Sequence, residues 1–573
     1  MSPAVTDGVR FLAAPPGDRK NVEMGAPAPG RGRRPEPGPT AAPARGHGEA
    51  VLAWLLRVNR IYGPDEQFAV ASRFVRAFAG GSRGLPASES QISRWERAGS
   101  ALPPGAVRRY EQLLDLGDGR ITAVAHMVYR EAAGRVGPPI MRGRPENEDE
   151  TRRRLTGLLD RALGGDVMSG PDWDDLTAGL WEIPVMLHPA DLWNRLADRL
   201  LAELLIAEGP AWLYRCEAIN RMLGHRDGTA AVIAACVQVI GDPRSQILIE
   251  PMALLELTPA PAAAHHLLDQ IQHPRGEHAR RAAWWAVAEK IGRGHFTPPQ
   301  IQELIRAAVD ALQDPGSPVT SRLSAAEALR QVLPSANADA RRVLARLAQD
   351  DPVIGSVVHL GTTSASQTVR AVARRLADAT LTGVCRDVLH HDPMLEHFVA
   401  DLLFHPQGTR RVVAGQAIAA TPYRSALAAA IGRELSRPAT LADAILTTTL
   451  VQALTHLGGP AEAALVQRFA LDQRLPAAIG DAAAWVVGHL HGADGGSFWT
   501  QAGDRIVAAN GARLSRSRAE GLVYSLGTAS LRRPIRRDDL ARLAADARLD
   551  ADLRRAAAWW LAIPDAVQRS VLC

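Results

Sequence analysis

Residues 88–97 read SESQISRWER, and this stretch predicts both a conformation and a kind of partner. Ser88, followed three positions later by Gln91, predicts a capping box in which each side chain bonds the backbone N–H of the other residue. A helix is therefore predicted to begin at Glu89. At 3.6 residues per turn, its packing face holds Ile92, Trp95 and Glu96, and its opposite face holds Ser90, Ser93, Arg94 and Arg97.

The opposite face of this helix offers short hydroxyl groups and guanidinium forks. An Arg side chain can bond guanine bidentately, and Ser can approach any base closely. An ordinary amphipathic surface helix would show the same two faces, so the helix alone leaves both interpretations open.

Apolar stripes at helical spacing flank the helix on both sides. Upstream they run from Val51 to Ile61 and from Phe68 to Phe78, and downstream from Val107 to Leu114 and from Ile121 to Val128. Gly99 and the following Pro-Pro-Gly group end the central helix. Five short helices are predicted between residues 49 and 135.

Residues 49–135 resemble the Cro/repressor-like (XRE) helix-turn-helix family, in a form common among actinobacterial regulators. The likeness rests on QISRWER at residues 91–97 and RYEQLLDL at residues 109–116. In that family the helix matching Glu89–Arg97 lies in the major groove of double-stranded DNA. The resemblance implies that the residues facing bases are Ser88, Glu89, Ser90, Ser93 and Arg94, and that Gln91 and Arg97 lie near phosphates. The family has a tight turn before this helix, whereas Gly80–Ala87 forms a longer Gly/Pro loop here.

The charge of the chain is distributed unevenly. Of its 573 residues, 46% are hydrophobic and 22% are charged, which is enough apolar sequence for large cores. Residues 1–135 contain 19 Lys and Arg against 13 Asp and Glu, and the remainder contains 47 against 48. The excess of positive charge therefore lies in the N-terminal part, which contains the predicted DNA-binding domain. This favours an anionic partner at that end of the chain.

The cysteines and the apolar segments indicate the cellular compartment in which the protein is expected. The four cysteines are far apart and form no CxxC pair, so neither a disulfide framework nor a zinc knuckle is predicted. No apolar run is long enough for a signal peptide or a membrane span. We expect a cytoplasmic protein without a membrane segment.

Two stretches are predicted to lie outside folded domains. Residues 1–48 are rich in Pro, Gly and Ala and indicate a disordered basic arm, and residues 136–150 indicate a linker. RGRRP at residues 31–35 and RGRP at residues 142–145 resemble the core of an AT-hook, which lays Arg side chains in the minor groove. Chance occurrence in a sequence rich in Arg, Gly and Pro explains both matches better.

Residues 151–573 are predicted to form a continuous series of helices, and their sequence contains an internal repeat. RRAAWW at residues 280–285 is echoed by RRAAAWW at residues 554–560, and weaker echoes follow at steps of about 32 to 47 residues, the range of two-helix repeats. The pattern predicts a HEAT-like α-solenoid, with a compact irregular helical domain as the alternative. The fold class is thus all-α: a five-helix DNA-binding domain followed by a helical-repeat domain.

No motif in the sequence indicates catalysis or a cofactor. Phosphate-binding Gly-rich loops, HExxH and paired zinc-ligand motifs are all missing. GGSRG at residues 80–84 fits GxSxG but lies in the Gly/Pro loop between two predicted helices, not in the strand-to-helix turn of a nucleophile elbow, so we expect neither an enzyme nor a metalloprotein. One group approaches a metal-ligand set without its spacing, and incidental surface histidines explain it better; it comprises Cys385, His390, His391, His397 and His405. The tryptophan pairs are predicted to be core rather than a ligand cage.

Two classes of function fit these patterns. The first is a sequence-specific transcriptional regulator that binds double-stranded DNA as a homodimer, with an unknown protein or small-molecule partner at the solenoid. The alternative is a protein-interaction scaffold, in which the solenoid binds another protein and the N-terminal bundle merely docks. The polar outward face of residues 88–97 favours the regulator, because a docking bundle would more often show apolar residues there.

Overall fold

The structure is a computed structural model, and helices dominate it. It describes residues 9–11, 47–81, 84–117, 119–134, 148–183, 185–189, 191–314, 316–317, 319–333, 336, 338–364, 366–384, 391–490, 496–508, 514–533 and 535–572. The described part of the chain forms about thirty α-helices, so the all-α class is confirmed at that level. None of these helices is both long enough and apolar enough to cross a bilayer.

Five helices form an N-terminal bundle (residues 47–134). They are α1 (His47–Tyr62), α2 (Ala71–Ala79), α3 (Glu89–Trp95), α4 (Pro104–Leu113) and α5 (Arg120–Ala133), with a 3-10 turn at Glu66–Ala69 between α1 and α2. Each of the five apolar patterns in the sequence thus contains an α-helix, but the pattern that begins at Phe68 is divided between the 3-10 turn and α2. Aromatic rings fill the centre, where the centroids of Phe74 and Tyr110 are 4.8 Å apart and those of Phe78 and Trp95 are 6.0 Å apart.

The long loop between α2 and α3 is anchored by a single arginine of α4. Arg109 donates hydrogen bonds to the carbonyl oxygens of Ala77 (2.7 Å), Phe78 (3.2 Å) and Gly80 (2.7 Å). A cation at these terminal carbonyls also opposes the negative end of the helix dipole. The loop therefore leaves α2 along a fixed path, although it is longer than the turn of the family that the sequence resembles.

The rest of the described chain is the helical-repeat part (residues 148–572). Its first half comprises α6 (Glu148–Gly164), α7 (Gly170–Glu182), α8 (Asp191–Ile206), α9 (Gly209–Gly224), α10 (Thr229–Gly241), α11 (Ile249–Leu257), α12 (Pro261–Gln272), α13 (Glu277–Gly292), α14 (Pro298–Gln313), α15 (Val319–Gln331), α16 (Ala338–Asp350), α17 (Pro352–Leu360) and α18 (Ser366–Val384).

Its second half comprises α19 (Pro393–Phe404), α20 (Gly408–Ala419), α21 (Tyr423–Leu435), α22 (Pro438–Ala442), α23 (Ala444–Leu457), α24 (Pro460–Leu471), α25 (Ala477–Val486), α26 (Gly496–Ala508), α27 (Arg516–Arg532), α28 (Ile535–Ala545), α29 (Ala551–Leu561) and α30 (Asp565–Val571). In both halves alternate helices lie side by side: α11, α13 and α15 in one row, and α23, α25 and α27 in another. Alternate helices therefore pack as neighbours in both halves, and the assignment of this arrangement to repeats of the HEAT type stays a prediction.

Two of the tryptophans in the echoed motif explain why small residues accompany the repeat. A Cβ atom at Gly408 would collide with the Trp285 indole, and one at Gly527 would collide with the Trp560 indole. Gly408 lies in α20 and Gly527 in α27, helices that pass close to the tryptophans of α13 and α29, so the missing side chain of each glycine makes room for an indole ring.

The last helices of the chain pack against the first helices of the helical-repeat part. Arg215 of α9 donates to the carbonyl oxygen of Ser570 in α30 (2.5 Å), and the Ser570 hydroxyl accepts from the backbone N–H of Met168 (3.2 Å). The Trp560 indole of α29 bonds Gln246 (3.1 Å), just before α11. The stack therefore returns on itself and is not an open superhelix.

Two of the predicted boundaries need correction. Val9–Phe11 form a strand, β1, that pairs antiparallel with β2 (Val185–Leu187), Val9 lying opposite Leu187, so the prediction of a disordered arm is wrong for these three residues. Residues 47–48 of that arm belong to α1, and residues 148–150 of the predicted linker belong to α6, since helices begin there. Both stretches resembling an AT-hook lie outside the described residues.

Candidate nucleic-acid interface

The cap that starts α3 is half of the predicted box. The Ser88 hydroxyl oxygen accepts from the backbone N–H of Gln91 at 3.2 Å, which satisfies one of the unpaired donors at the helix start. The other predicted bond, from the Gln91 side chain to Ser88 N–H, is not among the hydrogen bonds of the described residues. The Ser88 hydroxyl instead lies 3.0 Å from that of Ser90. The helix begins at Glu89 as predicted.

The two faces of α3 differ as the sequence predicts. Ile92, Trp95 and Glu96 are buried. Of the residues predicted to contact DNA, five are exposed (Ser88, Glu89, Ser90, Arg94 and Arg97) and two are half-buried (Gln91 and Ser93). α3 ends at Trp95, so Arg97 follows the helix instead of lying within it. Arg97 donates to the Ser93 carbonyl oxygen at 3.1 Å and also bonds the Ser93 hydroxyl. A ligand would therefore have to break this local contact to engage both side chains fully.

A buried ion pair holds α3 from behind. The Arg60 guanidinium of α1 bonds both carboxylate oxygens of Glu96, at 2.6 and 2.8 Å, and the Tyr110 hydroxyl donates to the same carboxylate at 2.9 Å. Arg60 also donates to the carbonyl oxygens of Phe68 (2.8 Å) and Ala69 (3.0 Å). Burial and then the Glu96 charge raise the pKa of Tyr110, so its hydroxyl stays protonated and keeps donating. This bidentate geometry fixes the end of α3 relative to α1.

Sequence reasoning placed Glu96 on the packing face but did not find its partner. Arg60 lies 36 residues upstream of Glu96, inside an apolar stripe. The sequence did contain a signal: an acidic residue on the packing face of α3 and an arginine within the apolar stripe of α1. Charged side chains are rarely buried unless they are paired, so these two residues could have been matched.

Several arginines around α3 are without acidic partners. Arg73 and Arg76 of α2, Arg94 of α3 and Arg108 of α4 are exposed, and within the described part of the chain none of them forms an ion pair. In the helical-repeat part many arginines pair with Asp or Glu, such as Arg161 with Asp172 and Arg375 with Glu434. Helices α2, α3 and α4 thus offer exposed guanidinium groups that an anionic partner could bind without first displacing a carboxylate.

The bundle contacts the helical-repeat part through α1 and α5. The Trp54 indole of α1 donates to the Asp392 carboxylate (2.9 Å), and Asn59 donates to the Ala420 carbonyl oxygen (2.9 Å). Arg130 of α5 pairs with Glu217 of α9 at 2.8 Å. Within the described residues α3 makes no comparable contact with the helical repeats, so its polar face is left open to solvent.

The histidines of the second candidate group are spread over different surroundings. Cys385 and His390 lie outside the described residues. His391 lies 4.0 Å from Glu396 and His397 lies 3.5 Å from Asp401, and both histidines are exposed. Burial, with Arg410 and Arg411 nearby, lowers the pKa of His405 to about 3, so this ring is neutral. Among the described residues no group of three or more His, Cys, Asp or Glu side chains could hold a metal ion.

No family model, no curated protein and no solved structure matches this chain. The likeness of residues 91–97 and 109–116 to the XRE family therefore rests on the motif alone.

Proposed function

We propose that the chain is a sequence-specific transcriptional regulator that binds double-stranded DNA through α3. The observation that carries this proposal is the contrast between the two sides of one short helix. Arg94 and Ser90 are exposed on one side, with Ser93 half-buried beside them, and the Arg60, Glu96 and Tyr110 network immobilises the other side. A reading helix needs both properties, because base readout depends on side chains held at a fixed angle to the groove.

The proposed contacts divide into two groups. Arg94 and the short hydroxyl residues Ser90 and Ser93 face base edges, where Arg favours guanine. Arg97, Gln91 and the unpaired arginines of α2 and α4 contact phosphates, which adds affinity without sequence preference. A transcriptional regulator acts on the chromosome, which in a bacterium lies in the cytoplasm. The proposed function is therefore consistent with the cytoplasmic location expected from the sequence.

The scaffold alternative has one observation in its favour. The N-terminal bundle is docked by buried bonds through α1 and α5, as a structural appendage would be. That docking, however, uses the faces away from the polar side of α3. The face that remains on α3 is polar and carries the exposed Arg94, whereas a surface that docks another protein would more often be apolar.

Selection from a random pool of duplex DNA tests the proposed function. The full-length chain is used because removing the helical repeats would expose Trp54 and other docked side chains of the bundle. Enrichment of one motif is expected. Recovery of an unbiased pool would contradict the proposal and favour the scaffold.

The first prediction concerns Arg94→Ala on the selected site. It should weaken specific binding by about 1–3 kcal/mol and leave binding to unrelated DNA nearly unchanged, because one bidentate base contact is lost. Both affinities are measured by fluorescence anisotropy at one fixed salt concentration. Arg341→Ala is the matched control, since Arg341 is an exposed arginine of α16 in the helical-repeat part. Equal losses on both DNAs would make Arg94 a phosphate contact.

We also propose that the helical-repeat part, as a HEAT-like stack, supplies self-association and a site for a protein or small-molecule partner. One helix-turn-helix unit reads only a few base pairs, and such proteins usually dimerise to span two major-groove faces. The mass of the full chain in solution, alone and on a two-half-site operator, tests this. A monomer in both conditions would contradict the dimer.

A further inference from the structure

Three carboxylates meet where the end of α5 contacts the helical repeats. They are Glu131 of α5, Glu256 of α11 and Glu289 of α13. Thr409 of α20 joins two of them: its backbone N–H donates to Glu289 (3.2 Å) and its hydroxyl donates to Glu256 (3.4 Å). Four helices from separate parts of the chain are thus connected at one buried point.

Two of these carboxylates are poorly satisfied for charged groups. Glu256 is 1% exposed and Glu289 is 3% exposed, and the Glu256 Oε2 atom finds no hydrogen-bond partner among the residues that the structure describes. A buried carboxylate without enough donors is unstable as an anion and binds a proton instead. A second carboxylate on the same threonine adds like-charge repulsion, as in other carboxyl pairs that share one site.

The nearby cations are engaged mainly by the third carboxylate. Arg293 lies 2.9 Å from Glu131 and 3.7 Å from Glu256, and Arg410 lies 3.6 Å from Glu131. Burial alone would raise the pKa of Glu131, but Arg293 and Arg410 hold it below its ordinary value, so this carboxylate is ionised. The other charged or titratable groups that face the cluster are Arg130 of α5, Glu217 of α9, Lys290 of α13, His295, Glu327 of α15, His405 and Arg411 of α20.

These surrounding groups do not neutralise the pair. Arg130 is paired with Glu217, and Glu327 is paired with Arg330. Lys290 donates to the carbonyl oxygens of Leu255 and Thr258, and Arg411 donates to those of His405 and Pro406. The cations nearest to Glu256 and Glu289 therefore already have other acceptors.

We propose that Glu256 and Glu289 form a proton-operated latch between the N-terminal bundle and the helical repeats. While the pair is protonated, Thr409 and Arg293 connect α5, α11, α13 and α20 without unbalanced charge. When a proton leaves to solvent, adjacent buried anions repel one another and α5 separates more readily from the helical repeats. The latch concerns docking and does not depend on DNA binding.

The direction of the pH effect follows from burial. Burial, and then the Glu131 charge, raise the pKa of Glu289 to about 7, and burial and then Glu289 raise that of Glu256. The docked state therefore binds more protons than the open state, whose carboxyls have ordinary pKa values. Docking is strongest below the ordinary pKa and weakens as the pH rises toward the raised value. For Glu289 alone, the opening equilibrium should increase about tenfold between pH 6 and pH 8.

Hydrogen exchange on the full-length chain tests the latch. Protection of the amides in α5 should fall about tenfold between pH 6 and pH 8 after correction for intrinsic exchange rates. Glu289→Gln, which is neutral at every pH, should abolish most of that change. Glu66→Gln, the same substitution at an exposed position of the bundle, should leave it intact.

Glu256→Gln provides a second variant in case the first does not fold, and it too should reduce the pH dependence of α5. Protection of α5 that does not change with pH in the wild type would overturn the latch. So would a pH dependence of α5 protection that is the same in Glu256→Gln and Glu289→Gln as in the wild type. Because DNA selection is a separate measurement, failure of the latch and failure of the proposed function are distinguishable.

Discussion

Glu96→Gln is expected to destabilise the N-terminal bundle by about 3–5 kcal/mol, because it leaves the Arg60 guanidinium buried without a counter-charge. The substitution keeps the size of the side chain and removes only its negative charge. Arg60 would retain its bonds to the carbonyl oxygens of Phe68 and Ala69, which do not neutralise it. The measurement is the opening free energy of amides in α3 and α4, obtained from native-state hydrogen exchange.

Glu89→Gln is the matched control for this prediction, since it makes the same change on the exposed side of α3. It should lower the protection of α3 and α4 by no more than about 1 kcal/mol, the contribution of an exposed negative charge in the first turn of a helix. Specific DNA binding by Glu96→Gln should fall along with the protection of α3. Wild-type protection in Glu96→Gln would show that the Arg60 pair does not hold the helix.

The local features of α3 could be predicted from the sequence because they depend on residues within one or two turns. The cap at Ser88 depends on spacing alone, and so does the burial of Ile92 and Trp95 opposite an exposed Arg94. The same holds for the five helices of the bundle, whose apolar stripes have a clear 3.6-residue period.

The long-range contacts could not be predicted in this way. A stripe shows that a residue faces inward, but it does not show which element packs there. The partner of Glu96, the Asp392 carboxylate that binds Trp54, and the pairing of β1 with β2 all depend on how distant segments meet. The burial of polar residues such as Glu256 and Glu289 could not be predicted either, because a single polar residue changes the hydrophobic pattern of its helix very little.

The closure of the helical repeats on themselves is the largest of these unpredicted features, and it leads to the second strong prediction. Arg215 of α9 is fully buried and joins three segments. It bonds Glu203 of α8 (3.0 Å) and the carbonyl oxygens of Met168 (2.8 Å) and Ser570 (2.5 Å). Glu203 also accepts from the Trp173 indole of α7 at 2.7 Å. The end of the chain is thus tied to α7, α8 and α9 through one guanidinium.

Arg215→Met should cost about 3–5 kcal/mol and should release α30 first, because the Met168 and Ser570 carbonyl oxygens lose a charged donor in a buried place. Glu203 keeps Arg199 (3.1 Å) and Trp173 as partners, so α7 and α8 should retain more protection than α30. Hydrogen exchange resolved by segment measures this order. Arg226→Met, at a highly exposed arginine just after α9, is the control and should change neither segment. If α30 stayed as protected as in the wild type, the closure would depend on apolar packing of α30 against α8 and not on Arg215.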